Sequence, residues 1–194
     1  MKYKTKKINH CLLCKNKNIK EIFSLGNLFV SNFVKKKNIK KGVKAPLNLV
    51  YCKNCQLLQL EHSAPQELMY KKFYWYRSGV TNTMKVALKD IFLNIKKMSI
   101  MKKGDTILDI GANDGTLLKY FKNEGFTTIG CEPAKNLTKE LMRNSKFVIN
   151  NFWNFKYLNN ILKKNKLRKP KVITAIGMFY DLEDPSKFIS DAAK

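Results

Sequence analysis

Apolar and polar positions fall into two regimes along the chain. Between about residues 80 and 98 the apolar side chains recur at helical spacing, through Val80, Met84, Ala87, Leu88, Ile91, Phe92 and Ile95. That spacing predicts an amphipathic helix. After Gly104 the pattern becomes short apolar runs separated by amphipathic stretches. It predicts strands over about 106–110, 127–131, 146–150 and 171–176, with helices over about 115–123, 134–143 and 156–165 between them. Strands alternating with helices imply an α/β fold with a parallel, right-handed, doubly wound sheet. The fourth strand opens into Gly177-Met178-Phe179-Tyr180-Asp181-Leu182-Glu183-Asp184-Pro185, and the residues after Pro185 read as a helix. A sheet of this class needs further strands beside the fourth, so a partial copy of the domain is expected.

The amino-terminal region lacks this rhythm. Its apolar residues predict short strands over 21–26, 47–51 and 56–60, with a lysine-rich exposed loop from Lys35 to Lys44. Residues 65–79 then hold an aromatic cluster of Tyr70, Phe73, Tyr74, Trp75 and Tyr76. Residues 8–60 read as a loop-rich zinc module. Cys11-x-x-Cys14 and Cys52-x-x-Cys55 are two knuckles separated by 37 residues. Paired thiolates at that spacing match a closed, tetrahedral, structural zinc site that does no chemistry. Two disulfides or an iron–sulfur cluster are the alternatives. Met1-Lys2-Tyr3-Lys4-Thr5-Lys6-Lys7 is charged and no apolar run follows it, so no secretory leader is read and a cytoplasmic location is expected. A reducing cytosol favours metal over disulfide. His10 and His62 lie near the cysteines but are not needed as ligands. Cys131 reads as a small buried apolar residue. The expected division is a zinc-binding domain over 1–64, an aromatic segment and connecting helix over 65–100, and a cofactor-binding domain over 101–194.

Charge complicates the picture. The 194 residues carry a formal net charge of +24, which at first suggests a nucleic-acid binder. Yet of the 38 basic residues only Arg77, Arg143 and Arg168 are arginine, the side chain favoured for bidentate phosphate and base recognition. The lysines are scattered, and their company of asparagine and isoleucine points to AT-rich coding. No specific nucleic-acid partner is expected, although an anionic small substrate would be drawn to such a surface. No segment approaches the roughly 18 apolar residues of a membrane span, so no membrane partner is expected.

The densest chemistry lies at the first predicted parallel strand. Thr106-Ile107-Leu108-Asp109-Ile110 ends in Gly111-Ala112-Asn113-Asp114-Gly115, and an apolar helical start follows. Gly111 and Gly115 allow a sharp turn and close approach of backbone to a ligand. Asp109 sits at the strand's carboxyl end, where open α/β sheets bind ligands. Glu132, at the end of the second strand, is placed to accept hydrogen bonds from ribose hydroxyls. A dinucleotide site would need G-x-G-x-x-G facing a pyrophosphate. Here the spacing is G-x-x-x-G with Asn113 and Asp114 inside. An acidic loop repels pyrophosphate and suits a cationic cofactor such as S-adenosylmethionine. An ordinary strand–turn–helix whose glycines serve only the turn is the alternative.

Taken together these residues resemble the zinc-containing sugar C-methyltransferases that act on nucleotide-linked deoxysugars. The resemblance is carried by Cys11/Cys14, by Cys52/Cys55 with Gln56-Leu57-Leu58-Gln59, by Tyr74-Trp75-Tyr76-Arg77-Ser78, by Leu108 to Leu118, and by Gly130-Cys131-Glu132-Pro133-Ala134. It implies a small zinc domain before a class I, Rossmann-like methyltransferase sheet, followed in the family by a further domain. It implies an S-adenosylmethionine-dependent enzyme that methylates a sugar carbon beside a ketone, after a base removes the α-proton and donors stabilise the enolate. By position, Asp109, Gly111, Asn113 and Asp114 would line the methionine end of the cofactor. Glu132 would hold the ribose with Pro133 beside it, and Asn151 and Phe152 would flank the adenine. Tyr76 would donate to the keto oxygen or the sugar, or else pack between domains. Tyr180 and Asp181 would face the methyl-transfer region, or else only lead into the helix that Asp184-Pro185 begins. Many relatives carry a histidine where this chain has Phe179-Tyr180-Asp181, and the family's proposed histidine base falls beyond Lys194. An incomplete active site is therefore expected. The alternative functions are a methyltransferase with another acceptor, such as a small metabolite or RNA, and a non-catalytic cofactor-binding fragment.

Overall fold

A computed structural model describes residues 5–30 and 35–194. The part of the leader reading that rests on Met1–Lys4 lies outside them. The chain divides into two compact units, Met1–Lys72 with Glu183–Ser186, and Phe73–Leu182 with Lys187–Lys194.

The first unit is built from short antiparallel pairings. Its strands are β1 (Lys6–Lys7), β2 (Ile19–Phe29), β3 (Lys44–Cys52), β4 (Leu58–Leu60) and β5 (His62–Ser63). β2, β3 and β4 form one sheet in that order, and β1 pairs with β5. β2 extends well past the predicted 21–26, because backbone pairing with β3 continues from Ile19↔Cys52 to Phe29↔Lys44. Register shifts between Glu21/Phe23 and Ser24/Asn27 absorb the extra residues. The predicted lysine loop instead contains a 3₁₀ helix, Lys36–Lys41. Local bonds such as Asn38 N–H to Lys35 C=O, 2.7 Å, satisfy that backbone while the lysines stay solvated. The unit buries Ile8, Cys11, Val50 and Cys52, whereas Ile22, Phe23, Leu25, Leu28 and Phe29 of β2 remain exposed.

The second unit has a conventional core. Its elements are α1 (Asn82–Lys97), β6 (Thr106–Ile110), α2 (Thr116–Asn123), β7 (Thr127–Cys131), α3 (Thr138–Asn144), β8 (Phe147–Ile149), α4 (Phe155–Lys164), β9 (Val172–Thr174) and α5 (Pro185–Ala192). The strands form one sheet in the order β8-β7-β6-β9, and every pairing is parallel. The α/β architecture expected from the alternating pattern, and the Rossmann-like sheet that the resemblance implies, are thus present.

Strand residues alternate between two apolar layers. Ile107 packs with Leu88 and Phe92 of α1, Leu117, Leu118 and Phe121 of α2, and Leu141 of α3. Leu108, Ile110, Ile129, Cys131 and Ile149 pack with Leu158 and Leu162 of α4 and Phe188 of α5. Several boundaries differ from the sequence reading by a few residues, two of them for local reasons. β9 ends at Thr174, the last residue registered against β6. α3 starts at Thr138 and not at 134, because residues 134–137 form a turn, with Leu137 N–H bonded to Ala134 C=O at 3.2 Å. Among the described residues no helix is long and apolar enough to cross a membrane.

Candidate functional site

The cysteine knuckles come together in the first unit. The sulfurs of Cys11, Cys14, Cys52 and Cys55 all lie within 4.8 Å of one another, and no disulfide joins them. A tetrahedral ion with Zn–S near 2.3 Å sets its sulfurs about 3.8 Å apart, so the four residues fit zinc. The two knuckles repeat one backbone geometry. Lys15 N–H returns to Cys11 C=O at 3.0 Å and Gln56 N–H to Cys52 C=O at 2.9 Å. Both Lys15 (φ 62) and Gln56 (φ 65) take the left-handed conformation that folds each pair around one point.

Buried Gln59 ties the knuckles further. Its side-chain oxygen accepts from Leu12 N–H at 2.8 Å, and its amide donates to His10 C=O at 3.1 Å. Without metal the sulfurs titrate apart. The backbone N–H of Asn16 leads in drawing the Cys14 thiol down to about 6. Although the Leu57 N–H works the other way, burial and neighbouring sulfurs push Cys55 up to about 12. Among the described residues, neither His10 nor His62 joins the cluster.

The second site lies in the second unit, at the carboxyl ends of β6 and β7. Glu132 is buried, and each of its oxygens is fixed by one backbone N–H: Asn113 at 2.9 Å and Ala134 at 2.8 Å. Burial raises its pKa, while those two N–H groups pull the other way. Each carboxylate oxygen keeps a lone pair for a further donor, which is what a vicinal diol requires. Asp109 is also buried, and its Oδ1 accepts from Thr174 Oγ1 at 2.7 Å. Burial pushes the Asp109 carboxyl up to about 7, against the Thr174 bond and with the help of the Glu132 charge.

Gly111 has φ +76, and a Cβ there would meet Met178 Cγ at 2.9 Å, so the turn needs glycine on both counts. Asn151 and Phe152 follow β8. The Asn151 carbonyl accepts from the buried Cys131 thiol at 3.4 Å, and its side-chain amide donates to Tyr157 Oη at 3.0 Å. Asn150 ties the ends of β8 and β7 by donating to Glu132 C=O at 2.9 Å, with Pro133 next in the chain. The acceptor oxygens of Glu132, with a Cβ-free turn beside them, fit the ribose hydroxyls of S-adenosylmethionine.

Asn113 and Asp114 have partners that sequence reasoning did not anticipate. The Asn113 amide donates to Tyr76 C=O at 3.1 Å, and its oxygen accepts from Ser78 N–H at 3.0 Å. Asp114 accepts from Gly79 N–H at 2.7 Å through one oxygen, and from Thr116 N–H and Oγ1 at 3.0 and 2.6 Å through the other. Asn136 exchanges two bonds of 2.9 Å with the backbone of Tyr74, and Arg77 pairs with Glu140. The aromatic segment therefore lies against the glycine loop.

The rings of Tyr74 and Tyr76 stand edge to face with centroids 6.5 Å apart. Burial raises the Tyr74 pKa, and the charges of Tyr180, Asp181, Glu132 and Tyr76 add to the shift. Tyr180 and Asp181 occupy the short turn Phe179–Asp181 after β9. Tyr74 belongs to the aromatic cluster read from the sequence, where only Tyr76 carries an expected site role. Nothing in the sequence marked Asn136 or Thr174.

Two family models match the chain. One, described as a putative zinc binding domain, matches residues 11–70, and the other, described as a methyltransferase domain, matches residues 83–194. Among curated proteins, C-methyltransferase NovU of Streptomyces niveus is 24% identical over 132 residues, covering 67% of this chain and 31% of that protein. The chain thus spans about a third of the length of that relative.

Proposed function

The chain belongs to the methyltransferase-domain family, with a match to a putative zinc binding domain ahead of it, and on that premise we propose that it is a C-methyltransferase that methylates the carbon beside the ketone of a nucleotide-linked keto-deoxysugar. The observation that carries the reading is the buried Glu132 carboxylate, oriented by two backbone N–H groups beside a glycine turn. S-adenosylmethionine held there supplies a methyl group already activated on a sulfonium. In this reading Glu132 accepts the ribose hydroxyls, with Pro133 beside it and Asn151 and Phe152 toward the base. Asp109, Gly111, Asn113 and Asp114 form the wall at the methionine end. The raised pKa of Asp109 lessens the second buried charge next to Glu132.

The acceptor chemistry falls to the tyrosines and to Asp181. Tyr76 donates to the keto oxygen and stabilises the enolate that develops on it. Asp181 takes the α-proton and Tyr180 donates beside it. Cys11, Cys14, Cys52 and Cys55 hold zinc as a closed structural site with no part in the reaction. A sugar linked to a nucleotide diphosphate is the favoured acceptor because the chain's strong positive charge attracts anions.

The test is calorimetry with S-adenosylhomocysteine. The wild-type chain should bind it, and Glu132→Ala should weaken binding at least about tenfold, the scale of one lost hydrogen bond to a charged group. Unchanged affinity, or preference for a nicotinamide dinucleotide, overturns the reading. A panel of thymidine-diphosphate keto-sugars then identifies the acceptor by methyl incorporation.

A further inference from the structure

The contacts of residues 74–79 go beyond an aromatic cluster near a pocket. The segment is clasped at both ends and in the middle by polar side chains of the cofactor-binding elements: Asn136 on Tyr74, Asn113 on Tyr76 and Ser78, Asp114 on Gly79. Close approach is built in, because a Cβ on Gly79 would meet Thr116 Oγ1 at 2.7 Å and Asp114 Oδ2 at 3.0 Å. A cavity of about 480 Å³ lies at the far end of the segment, bordered by Arg77, Gly79, Asp114 and Glu140 among others. One residue joins the clasp to the ribose seat. Asn113 sends its own N–H to Glu132 Oε2 at 2.9 Å while its side chain holds Tyr76 and Ser78. Its backbone is left-handed at φ 52, so the two functions diverge from a single turn.

We propose that residues 74–79 are an acceptor-binding strap, with Asn113, Asp114 and Asn136 as its positioning residues, and that a ligand on Glu132 tightens the strap through Asn113. The nucleotide cofactor then binds first, and its arrival fixes Tyr74 and Tyr76 for the acceptor. This rests on the reading of Glu132 as the cofactor's ribose seat. A donor bonded to Glu132 fixes that carboxylate, and with it the Asn113 peptide and the two strap bonds that follow. By linkage, a strap loosened at Asn113 must weaken the cofactor by the same factor as the cofactor tightens the strap.

The experiment is amide hydrogen exchange on the whole chain, with and without S-adenosylhomocysteine, read at Gly79. That amide is bonded to Asp114 and not to Asn113, so its protection reports coupling and not merely a deleted partner. In the wild type the ligand should slow Gly79 exchange about fivefold, the equivalent of one net hydrogen bond. Asn113→Gly keeps the left-handed backbone and the N–H to Glu132 but removes the side-chain clasp. It should bind the ligand about fivefold more weakly and lose the ligand-induced protection at Gly79. Without ligand, Asn136→Ala should speed exchange at Gly79 while amides of β6 stay unchanged, which separates strap release from misfolding. Ligand binding with no change at Gly79, or protection that persists in Asn113→Gly, overturns the coupling and leaves the cofactor reading standing. Absence of any ligand binding removes the cofactor reading and the coupling together. Unchanged Gly79 exchange in Asn136→Ala overturns the strap as a single element.

Discussion

The two units use apolar residues in opposite ways. In the second, the alternating residues of β6, β7 and β8 disappear into two layers, and Ile107, Leu108, Leu118, Ile129, Leu137 and Leu141 are wholly buried. In the first, β2, the longest strand among the described residues, keeps Ile22, Phe23, Leu25, Leu28 and Phe29 exposed, and the buried set is centred on cysteines. Apolar content therefore says little about what holds each unit. Hydrophobic burial organises one, while four sulfurs brought within 4.8 Å organise the other.

The largest effect should come from removing the metal. A strong chelator, or Cys52→Ser with its buried ligand replaced, should unfold the first unit, because metal binding supplies most of the free energy of folding in such small sites. Zinc content near one per chain should fall to zero as exchange protection is lost across β2, β3 and β4, while protection in β6 and β7 remains. Retained structure in metal-free protein would erase the contrast. Next in size is Leu118→Ala in the second unit. Leu118 is fully buried between sheet and helices, so the change should cost about 4 kcal/mol by denaturant titration and leave zinc content unchanged.

This asymmetry also explains what the sequence disclosed. The second unit was legible because burial on both faces of a parallel sheet writes short apolar runs, and Gly111, Gly115 and Glu132 punctuate them at fixed offsets. The cysteine cluster was legible because paired knuckles need only local spacing to present two sulfurs each. β2 was underread because its pairing with β3 depends on backbone register and continues past Gly26, which reads locally as a stop. The strap was invisible for a related reason. Asn136 lies 62 positions from Tyr74, and a side-chain amide that captures a distant backbone leaves no periodic trace. Asn113 and Asp114 were noticed, but as loop residues facing a cofactor. Their grip on Tyr76, Ser78 and Gly79 needs the fold.

Asp109 gives an intermediate effect confined to the second unit. Its carboxyl sits near 7 in the folded chain against an ordinary value of 3.8, chiefly through burial. Below the ordinary value both folded and unfolded chains hold the proton, and stability is unaffected. As pH rises from there to about 7, the unfolded chain releases the proton and the folded chain keeps it, so stability falls. Above about 7 the full cost of a buried charge is present. Asp109→Asn keeps an oxygen for the Thr174 hydroxyl and removes that cost. It should stabilise the second unit at pH 8 by on the order of 3 kcal/mol, and the gain should vanish toward pH 4. A gain independent of pH would show that the carboxyl is ionised throughout.

The smallest effect is expected where a sequence reader would look for a large one. Leu25 is apolar, β-strand-bound and flanked by Phe23 and Leu28, which suggests a core position. In the structure it is 54% exposed and falls in the register shift between Ser24 and Asn27, with no opposing residue on β3. Leu25→Ser should therefore change the unfolding free energy by no more than about 0.5 kcal/mol, the usual range for surface substitutions. It should leave zinc binding intact. The comparison with Leu118 is then an order of magnitude for the same residue type in one chain. A cost of about 2 kcal/mol or more at Leu25 would mean that this side chain is shielded from water, and the first unit would owe its stability to apolar contacts as well as to its metal. The two units would then differ in degree only.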